Sequence, residues 1–300
     1  MKLLVIGSTQ TKHITDFFSI YGCKCTTLEA HHNCWITRIK NLLRLLRADI
    51  IYQVSGIDVR ENKYLRIAEF FHKKIVVHWI GTDVMLIRNS LQQDPREINK
   101  GCINLAVTKH LCQELHEVGI ESAYVPIFPM KTLLCEKVPM PQQHAVLSYI
   151  PANRADFYGM PIVRALAEQF SDLPFYIVAN DGQNDSMPPH NLHYMGFLPK
   201  EELYHLYRKT SVLLRIPIHD GLPVMMLEAQ GLGRAVIHPF PYPFVHCPKT
   251  RTVEDIAACL KEIVDSPPVI DDAAIEYTRS HYTSDTLKVC YQEAGLAFLF

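Results

Sequence analysis

The stretch at residues 215–237, RIPIHDGLPVMMLEAQGLGRAVI, decides the fold of this chain. Its pattern predicts the end of a strand, a tight turn, a helix over 223–232 and a second strand over 235–238. Asp220 lies in the turn and Glu228 lies farther along the helix. The first N–H groups of such a helix have no partner within it and favour an anion. The stretch predicts a β–α–β unit with two carboxylates beside one crevice; the alternative is an ordinary unit with a surface acid and a capping turn.

The rest of the chain alternates short apolar runs with helical patterns, as a parallel α/β sheet requires. In the first half, strands are predicted at 3–7, 48–54, 74–79, 104–108 and 122–126, and helices at 14–21, 35–46, 62–72 and from 109 to 117. In the second half, strands are predicted at 144–150, 174–179, 192–195, 212–218 and 235–238, and helices at 160–170, 200–208, 223–232, 253–265 and 271–298. The Pro-rich segment 126–143 is the predicted linker between two domains.

Composition excludes several classes of protein. The 300 residues are 48% apolar and 20% charged, which is an ordinary globular composition, and the formal net charge of −1 argues against a nucleic-acid binder. Nine cysteines without a CxxC pair predict reduced thiols in a cytoplasmic protein. The fifteen histidines show no ligand spacing, so no metal site is predicted. The short apolar run at the N-terminus predicts a first strand and not a signal peptide.

The spacing of Asp220 and Glu228 carries a family resemblance. Seven residues separate the two acids, and Ala229 and the sequence Gly-Arg-Ala-Val-Ile at 233–237 follow them. This resembles the donor site of retaining glycosyltransferases of family 4, whose pattern is Glu-x7-Glu followed by an Ala and Gly-x-Pro-Val-Ile. The first acid here is Asp, which leaves the identity of the sugar open. Segments 107–126 and 191–207 also resemble this family, and the first hundred residues do so only loosely.

The resemblance implies the GT-B fold, in which two Rossmann-like, doubly wound α/β domains have a cleft between them. The acceptor domain is expected at 1–130 and the nucleotide-sugar donor domain at 144–270. By the same analogy, the last helix, 271–300, is expected to pack back on the first domain.

The resemblance also implies roles for donor-site residues. Glu228 is expected to accept hydrogen bonds from the ribose hydroxyls, and Asp220 to contact the transferred sugar. The alternative for Glu228 is a carboxylate on a helix surface. Two further groups are expected to bind the donor: the backbone of Gly221, Leu222 and Pro223 at the diphosphate, and Gly196 with Phe197 beside the base.

A departing diphosphate carries negative charge that cationic side chains can offset. The family places an Arg and a Lys in the loop after the first strand of the donor domain. Here the loop at 150–159 contains Arg154, and Tyr158 stands where the family has Lys. Arg215 is the candidate for the second charge, and the alternative for both arginines is a solvated side chain.

The stretch His78-Trp-Ile-Gly-Thr-Asp83 ends a strand of the first half, where a doubly wound sheet exposes its ligand crevice. It resembles a turn that faces the acceptor in several bacterial glycosyltransferases, which makes His78, Gly81 and Thr82 candidates for acceptor binding. Asp83 is the candidate for orienting or deprotonating an acceptor hydroxyl. The alternatives are a cap of the next helix for Asp83 and a packed core imidazole for His78.

Helix 35–46 sets Arg38, Lys40 and Arg44, with Arg47 just beyond, against apolar residues that include Ile39 and Leu43. The usual role of such a helix is to cover a sheet. The alternative is peripheral contact of 35–47 with the inner face of an anionic membrane, which suits an enzyme with lipid-linked acceptors.

Together, these features predict a retaining, metal-independent glycosyltransferase without a cofactor, which acts in polysaccharide biosynthesis. Its substrates would be a nucleotide-diphosphate sugar and a glycan, lipid-linked or small-molecule acceptor. Two alternatives remain open: a non-catalytic nucleotide-sugar-binding subunit that supports a partner enzyme, and a sugar-nucleotide epimerase.

Overall fold

The computed structural model describes residues 1–7, 10–28, 35–93, 97–128, 138–183 and 185–300. The chain divides into two compact units. The first unit comprises 1–130, 220–222 and 282–300, and the second comprises 131–219 and 223–281. Each unit is built on one parallel sheet. Half of the predicted linker, residues 129–137, lies outside the described residues.

The first unit contains a six-stranded parallel sheet in the order β2-β1-β3-β4-β5-β6. Its strands are β1 (Lys2–Gly7), β2 (Lys24–Thr27), β3 (Ile50–Val54), β4 (Lys74–Trp79), β5 (Ile103–Ala106) and β6 (Ala123–Tyr124). Its first five helices are α1 (Thr11–Ile20), α2 (Trp35–Arg47), α3 (Lys63–Phe70), α4 (Thr82–Gln93) and α5 (Lys109–His116). Strand β3 is buried along its whole length because it lies inside the sheet and both of its faces are covered.

The second unit contains a five-stranded parallel sheet in the order β11-β10-β7-β8-β9. Its strands are β7 (Val146–Tyr149), β8 (Phe175–Val178), β9 (Leu192–Gly196), β10 (Val212–Leu214) and β11 (Ala235–Ile237). Its helices are α6 (Met160–Gln169), α7 (Lys200–Lys209), α8 (Val224–Gly231), α9 (Val253–Val264) and α10 (Asp272–His281). The central strands supply Val146, Ile177 and Leu214 to one apolar core, against which α6 and α9 pack.

The C-terminal segment belongs to the first unit. It consists of α11 (Ser284–Tyr291) and two short helical turns, Gln292–Leu296 and Ala297–Leu299. The Tyr291 ring stacks on Phe17 and is tilted against Phe18, with ring centroids 5.5 and 4.9 Å apart. The predicted continuous helix over 271–298 is wrong, because α10 ends at His281 and α11 begins only at Ser284. Thr283 adopts an extended conformation, and its Oγ1 accepts the Thr286 N–H to start α11.

Other differences from the predicted elements also have local causes. The predicted strand at 212–218 ends at Leu214, and Pro217, which has no N–H to donate, lies within the predicted span. Strand β2 was not predicted, because its sequence KCTT has no apolar alternation and the strand lies at a mostly exposed sheet edge. No range was predicted for helix α4, although the capping alternative for Asp83 implies a helix at this place.

Candidate functional site

The carboxyl ends of β7 and β10 lie side by side in the second unit, because these two parallel strands pair directly. Tyr149 is the last residue of β7, and Arg215 follows the last residue of β10. The loop after β7 carries Arg154 and ends at Gly159, whose φ of +83° is a conformation that favours glycine. The pairing therefore brings the two predicted cations to the same edge of the sheet.

The Tyr158 ring lies close to both arginines. The guanidinium carbon of Arg154 is 5.5 Å from the Tyr158 ring centroid, and that of Arg215 is 5.3 Å from it. Arg154 also lies 4.1 Å from the Phe157 ring, and Arg215 lies 5.4 Å from the Tyr149 ring. Arg215 is buried, whereas Arg154 is exposed. A contact with an aromatic ring orients a guanidinium without neutralising it, so this aromatic cluster holds two positive charges at the sheet edge.

Glu228 is buried in α8, a helix whose last six residues, from 226 to 231, are all buried. The Tyr207 hydroxyl of α7 donates a hydrogen bond of 3.1 Å to the Glu228 carboxylate. Burial raises the pKa of Glu228, although the Tyr207 hydrogen bond and the positive charge of Lys200 act in the opposite direction. The alternative prediction of a surface carboxylate does not fit this burial.

The positive charges of Arg215 and Lys200 act on the pair formed by Tyr207 and Glu228. Burial and the neighbouring Glu228 carboxylate raise the pKa of Tyr207, while the positive charge of Arg215 lowers it. Lys200, the first residue of α7, is close enough to Glu228 to lower its pKa. Sequence reasoning missed Lys200; its position after Pro199, at the start of a helix in the segment that resembles the base-binding region, was the available signal.

Gly196 and Phe197 lie at the end of β9. Gly196 has a φ of +65°, its carbonyl accepts the Ala179 N–H at 2.7 Å, and its own N–H donates to the Asn180 carbonyl at 2.8 Å. Phe197 follows with 89% of its surface exposed. The glycine ends the strand, and the next residue presents an aromatic ring to solvent, where a flat ligand could stack on it.

The predicted turn at 220–222 packs within the first unit. A Cβ on Gly221 would lie 1.8 Å from the Ile80 carbonyl oxygen, and one on Gly81 would lie 2.8 Å from the Gly221 nitrogen. The Asp220 carboxylate accepts the Gly221 N–H at 3.0 Å. Both glycines are therefore required for close backbone packing. Leu222 ends this segment, and Pro223 is the residue before α8.

His110 is a second residue that sequence reasoning missed. Its Nε2 lies 3.1 Å from the Asp220 carbonyl oxygen and donates a hydrogen bond to it. His110 is the second residue of α5, a helix that the Thr108 side chain caps through the Leu111 N–H. The available signal was the position of His110, two residues after the cap Thr108, where the chain leaves β5 at the carboxyl edge of the sheet.

Asp83 follows Thr82, the first residue of α4. Its carboxylate accepts N–H groups from Ile80 at 3.0 Å, Gly81 at 2.6 Å and Val84 at 3.1 Å, and a further one from Gly56. Burial raises the pKa of Asp83, and these backbone donors counteract part of that shift. Asp83 is the second residue of α4 and not its N-cap, but the geometry supports a structural role like the capping alternative, because the carboxylate already holds the backbone of its own turn.

His78 has no exposed surface. Its Nε2–H donates to the Val125 carbonyl at 2.7 Å, so its Nδ1 accepts the Tyr52 hydroxyl proton at 2.6 Å. The Tyr52 oxygen then accepts the Tyr291 hydroxyl at 2.7 Å. Burial lowers the pKa of His78 to about 3. The structure thus supports the alternative of a packed core imidazole, within a hydrogen-bond chain that joins α11 to β3 and β4.

The first unit contains a cavity of about 740 Å³ at the carboxyl ends of β1, β2 and β3. Its lining includes Gly7, Thr27, Gln53, Glu61 and Lys63. The Gln53 side chain is buried, and its Oε1 atom has no hydrogen-bond partner among the residues that the structure describes. A buried acceptor in this state costs free energy, which a ligand hydroxyl could recover.

The parts of the chain that the structure describes contain no group of three or more His, Cys, Asp or Glu side chains that could hold a metal ion. They also contain no helix with the length and apolar character needed to cross a membrane.

No family model and no curated protein matches this chain. Solved structures are similar to it in fold. Sucrose-phosphate synthase (tll1590) from Thermosynechococcus elongatus is similar over 99% of this chain and 98% of that one, with a TM-score of 0.70 and 9% identity. The lipopolysaccharide outer core galactosyltransferase WaaB is similar over 99% and 100%, with a TM-score of 0.66 and 14% identity.

The same fold occurs in an enzyme of a different class. UDP-GlcNAc 2-epimerase from Neisseria meningitidis, bound to UDP-GlcNAc, is similar over 99% of this chain and 100% of that one, with a TM-score of 0.53 and 12% identity. The chain spans 54% of the length of TarM, which it also resembles in fold. These similarities confirm the predicted fold class of two parallel-sheet α/β domains of the GT-B type.

Proposed function

We propose that this chain is a glycosyltransferase that binds a nucleotide-diphosphate sugar through its second unit and transfers the sugar to an acceptor. The observation that carries this proposal is the convergence of Arg154 and Arg215 on the Tyr158 ring, in the same unit as the buried Glu228. Two cations suit the diphosphate, and a carboxylate suits the hydroxyls of a ribose.

The proposed chemistry requires little of the protein beyond charge and position. When the bond between sugar and diphosphate breaks, negative charge grows on the leaving diphosphate, and fixed guanidinium groups stabilise it most in a site with little water. Arg215 is buried, so its charge is poorly screened. In a retaining reaction, the acceptor oxygen forms its bond to the sugar on the face that the diphosphate leaves, and the acceptor's hydroxyl proton passes to a departing phosphate oxygen. Asp220 is proposed to contact the transferred sugar, and neither a metal nor an enzymic nucleophile is part of this scheme.

The remaining donor contacts follow from the second unit. The Tyr207 hydrogen bond orients the Glu228 carboxylate, and a ribose diol would donate to it. The exposed Phe197 ring is proposed to stack on the base. Lys200 would add a third positive charge close to Glu228.

The acceptor is proposed to bind the cavity of the first unit. Its lining combines Thr27, Gln53, Glu61 and Lys63, which favours a ligand rich in hydroxyl groups, and such groups occur in a glycan, a lipid-linked or a small-molecule acceptor. The buried Oε1 atom of Gln53 would accept one of these hydroxyls.

The first experiment identifies the donor and then tests Glu228. A thermal-shift screen of UDP-, GDP-, ADP- and dTDP-sugars should give a raised unfolding midpoint with one base. Calorimetry with that donor should then show binding at least about tenfold weaker for Glu228→Ala, because the ribose hydroxyls lose a charged acceptor. Tyr207→Phe is the matched control, since it removes only the hydroxyl that orients the carboxylate. Equal affinity of Glu228→Ala and the wild type would refute the assignment.

An epimerase is the second candidate, because the Neisseria meningitidis 2-epimerase shares the fold. A single incubation separates the possibilities. The donor alone would yield an epimeric nucleotide sugar with an epimerase, whereas release of the nucleoside diphosphate, by slow hydrolysis or with an acceptor, indicates a transferase. Binding without either product would identify a non-catalytic subunit, an alternative that Tyr158 in place of the family's Lys favours.

A further inference from the structure

Helix α2 turns its apolar side chains toward solvent. Its buried residues are Thr37, Asn41 and Leu45, which lie four residues apart along one face. The exposed residues include Trp35, Ile36, Ile39 and Leu43. A helix that only covered a sheet would show the reverse arrangement. Ile39 and Leu43, which sequence analysis set among the apolar residues of a covering helix, are therefore on the outer surface.

Polar contacts hold α2 in this orientation. The Asn41 amide lies 3.5 Å from the Tyr64 hydroxyl of α3, and the Arg44 guanidinium donates to the Thr27 carbonyl of β2 at 3.1 Å. Leu45 completes the buried face with no exposed surface. Asn41, Arg44 and Leu45 thus all contact other parts of the first unit. A rotation that turned the exposed apolar stripe inward would break these contacts; the stripe consists of Trp35, Ile36, Ile39 and Leu43.

Helix α3 continues this surface. The connections from β2 to β3 and from β3 to β4 run in the same direction across the sheet, so right-handed crossovers place α2 and α3 on one face. The two helices also contact each other. At the end of α3, Phe70 is 75% exposed, and the neighbouring Phe71 is also exposed. These two rings line a shallow cavity together with Lys63, Arg66 and Ile67.

The charge of this surface is mainly positive. Helix α2 carries Arg38, Lys40, Arg44 and Arg47 and no carboxylate. Helix α3 adds Lys63 and Arg66 against a single acid, Glu69. We name the exposed apolar and basic side chains of these two helices the α2–α3 surface. The whole chain has a formal net charge of −1, so this positive charge is local and not a property of the composition.

We propose that the α2–α3 surface binds an anionic lipid bilayer. Exposed Trp, Phe, Ile and Leu side chains would enter the boundary between headgroups and acyl chains, and the flanking Lys and Arg side chains would contact lipid phosphates. A second copy of the chain is disfavoured, because a symmetric interface would bring basic side chains against basic side chains. A nucleic acid would leave the aliphatic stripe of α2 unused.

The chain contains its own probe for this contact. Of its two tryptophans, Trp35 is 69% exposed on α2, whereas Trp79 is fully buried in β4. Vesicles of phosphatidylcholine mixed with phosphatidylglycerol should shift the emission of the wild-type protein to shorter wavelengths, and vesicles of phosphatidylcholine alone should not. High salt should reduce the shift. Trp35→Phe should lose the shift but still sediment with the anionic vesicles.

Matched variants divide the surface into its apolar and basic parts. Phe70→Ser with Phe71→Ser should weaken sedimentation with the anionic vesicles by about tenfold or more, because two rings no longer enter the bilayer. Lys40→Ala with Arg47→Ala should weaken it by about fivefold for each basic side chain removed. Ile20→Ser, at a 63% exposed position of α1, is the control and should bind like the wild type.

Several results would overturn the proposal. These are equal binding to neutral vesicles, no emission shift of the wild type with anionic vesicles, and an equal loss of binding in Ile20→Ser. A dimer in analytical ultracentrifugation that Phe70→Ser with Phe71→Ser dissociates would assign the surface to a second copy. Binding to heparin that this double variant does not weaken, without vesicle binding, would assign it to a soluble polyanion. All of these measurements are made without a nucleotide sugar, so a failed transfer assay does not affect them.

Discussion

Lowering the pH from 7 to 5 should cost the first unit about 2 kcal/mol of folding free energy through His78 alone. The neutral imidazole donates one hydrogen bond and accepts another inside the core, and burial lowers its pKa to about 3. In the unfolded chain, the same side chain takes up a proton near pH 6.5. The unfolded state therefore binds more protons than the folded state throughout the window between these two values.

The sign and size of the effect follow from this difference. Stability is fully present above pH 6.5 and falls as the pH is lowered, with a slope of about 1.4 kcal/mol per pH unit until the folded imidazole also titrates. Between pH 7 and pH 5 the fall integrates to about 2 kcal/mol. His78→Gln should be less stable than the wild type at pH 7, because the amide cannot reproduce both ring contacts, but its loss between pH 7 and pH 5 should be about 2 kcal/mol smaller.

The assay is urea unfolding followed by tryptophan fluorescence, in which Trp79, buried beside His78 in β4, reports on the core of the first unit. Wild type, His78→Gln and His116→Gln would be compared at both pH values; His116→Gln controls for the removal of an exposed imidazole from the same unit. NMR of the wild type provides a second test, since the His78 ring signal should not move between pH 5 and pH 8. A signal that titrates near pH 6.5, or equal losses in wild type and His78→Gln, would refute the buried neutral assignment and favour the predicted role in acceptor binding.

Four further outcomes are expected. Arg154→Ala should lower turnover by more than it lowers donor affinity, because its charge acts on the leaving diphosphate; steady-state kinetics beside calorimetry checks this, and equal losses exclude that role. Transfer activity should survive excess EDTA, whereas loss on chelation and recovery with magnesium would contradict the metal-independent scheme. Gly221→Ala should destabilise the protein by about 1–3 kcal/mol or more in urea unfolding, since its Cβ would lie 1.8 Å from a carbonyl oxygen, whereas Gly231→Ala meets its nearest atom at 3.8 Å and should be tolerated. Tyr52→Phe should cost about 1–3 kcal/mol and more than Tyr291→Phe, because only the former leaves two buried groups without a partner; additive costs in the double variant would contradict the hydrogen-bond chain.

The order and type of most elements could be predicted from local patterns. Buried parallel strands such as β3 and β4 are mostly apolar, and helices such as α6 and α9 repeat apolar residues at the helical period, so each can be recognised without its neighbours. Strand β2 lacked such a signal because its edge position needs no apolar face. The break at Thr283 was missed because its threonine cap lies within a helical pattern that continues on both sides.

Local patterns could not determine which side of a helix faces the core. The sequence of α2 contains a clear apolar stripe, yet its buried face contains Thr37 and Asn41. The contact of Asn41 is with Tyr64 of α3, which no pattern within α2 indicates. Local patterns also could not determine the roles of His78 and Asp83. Both residues follow the pattern of a ligand crevice, but long-range contacts to Tyr52, Val125 and Gly56 occupy their polar atoms.

The sequence by itself determined a parallel α/β chain with two sheets, because periodicity and residue type are local properties. Its resemblance to glycosyltransferase family 4 implied the candidate donor residues Arg154, Arg215, Asp220 and Glu228. The tertiary structure alone decided that Arg154 and Arg215, sixty-one positions apart, lie against one tyrosine ring, and that Lys200 and His110 belong beside the predicted residues. The physical reason is that strand order is set by the burial of whole strands and helices. The meeting of β7 with β10 depends on the complete sheet, and no stretch of sequence contains both.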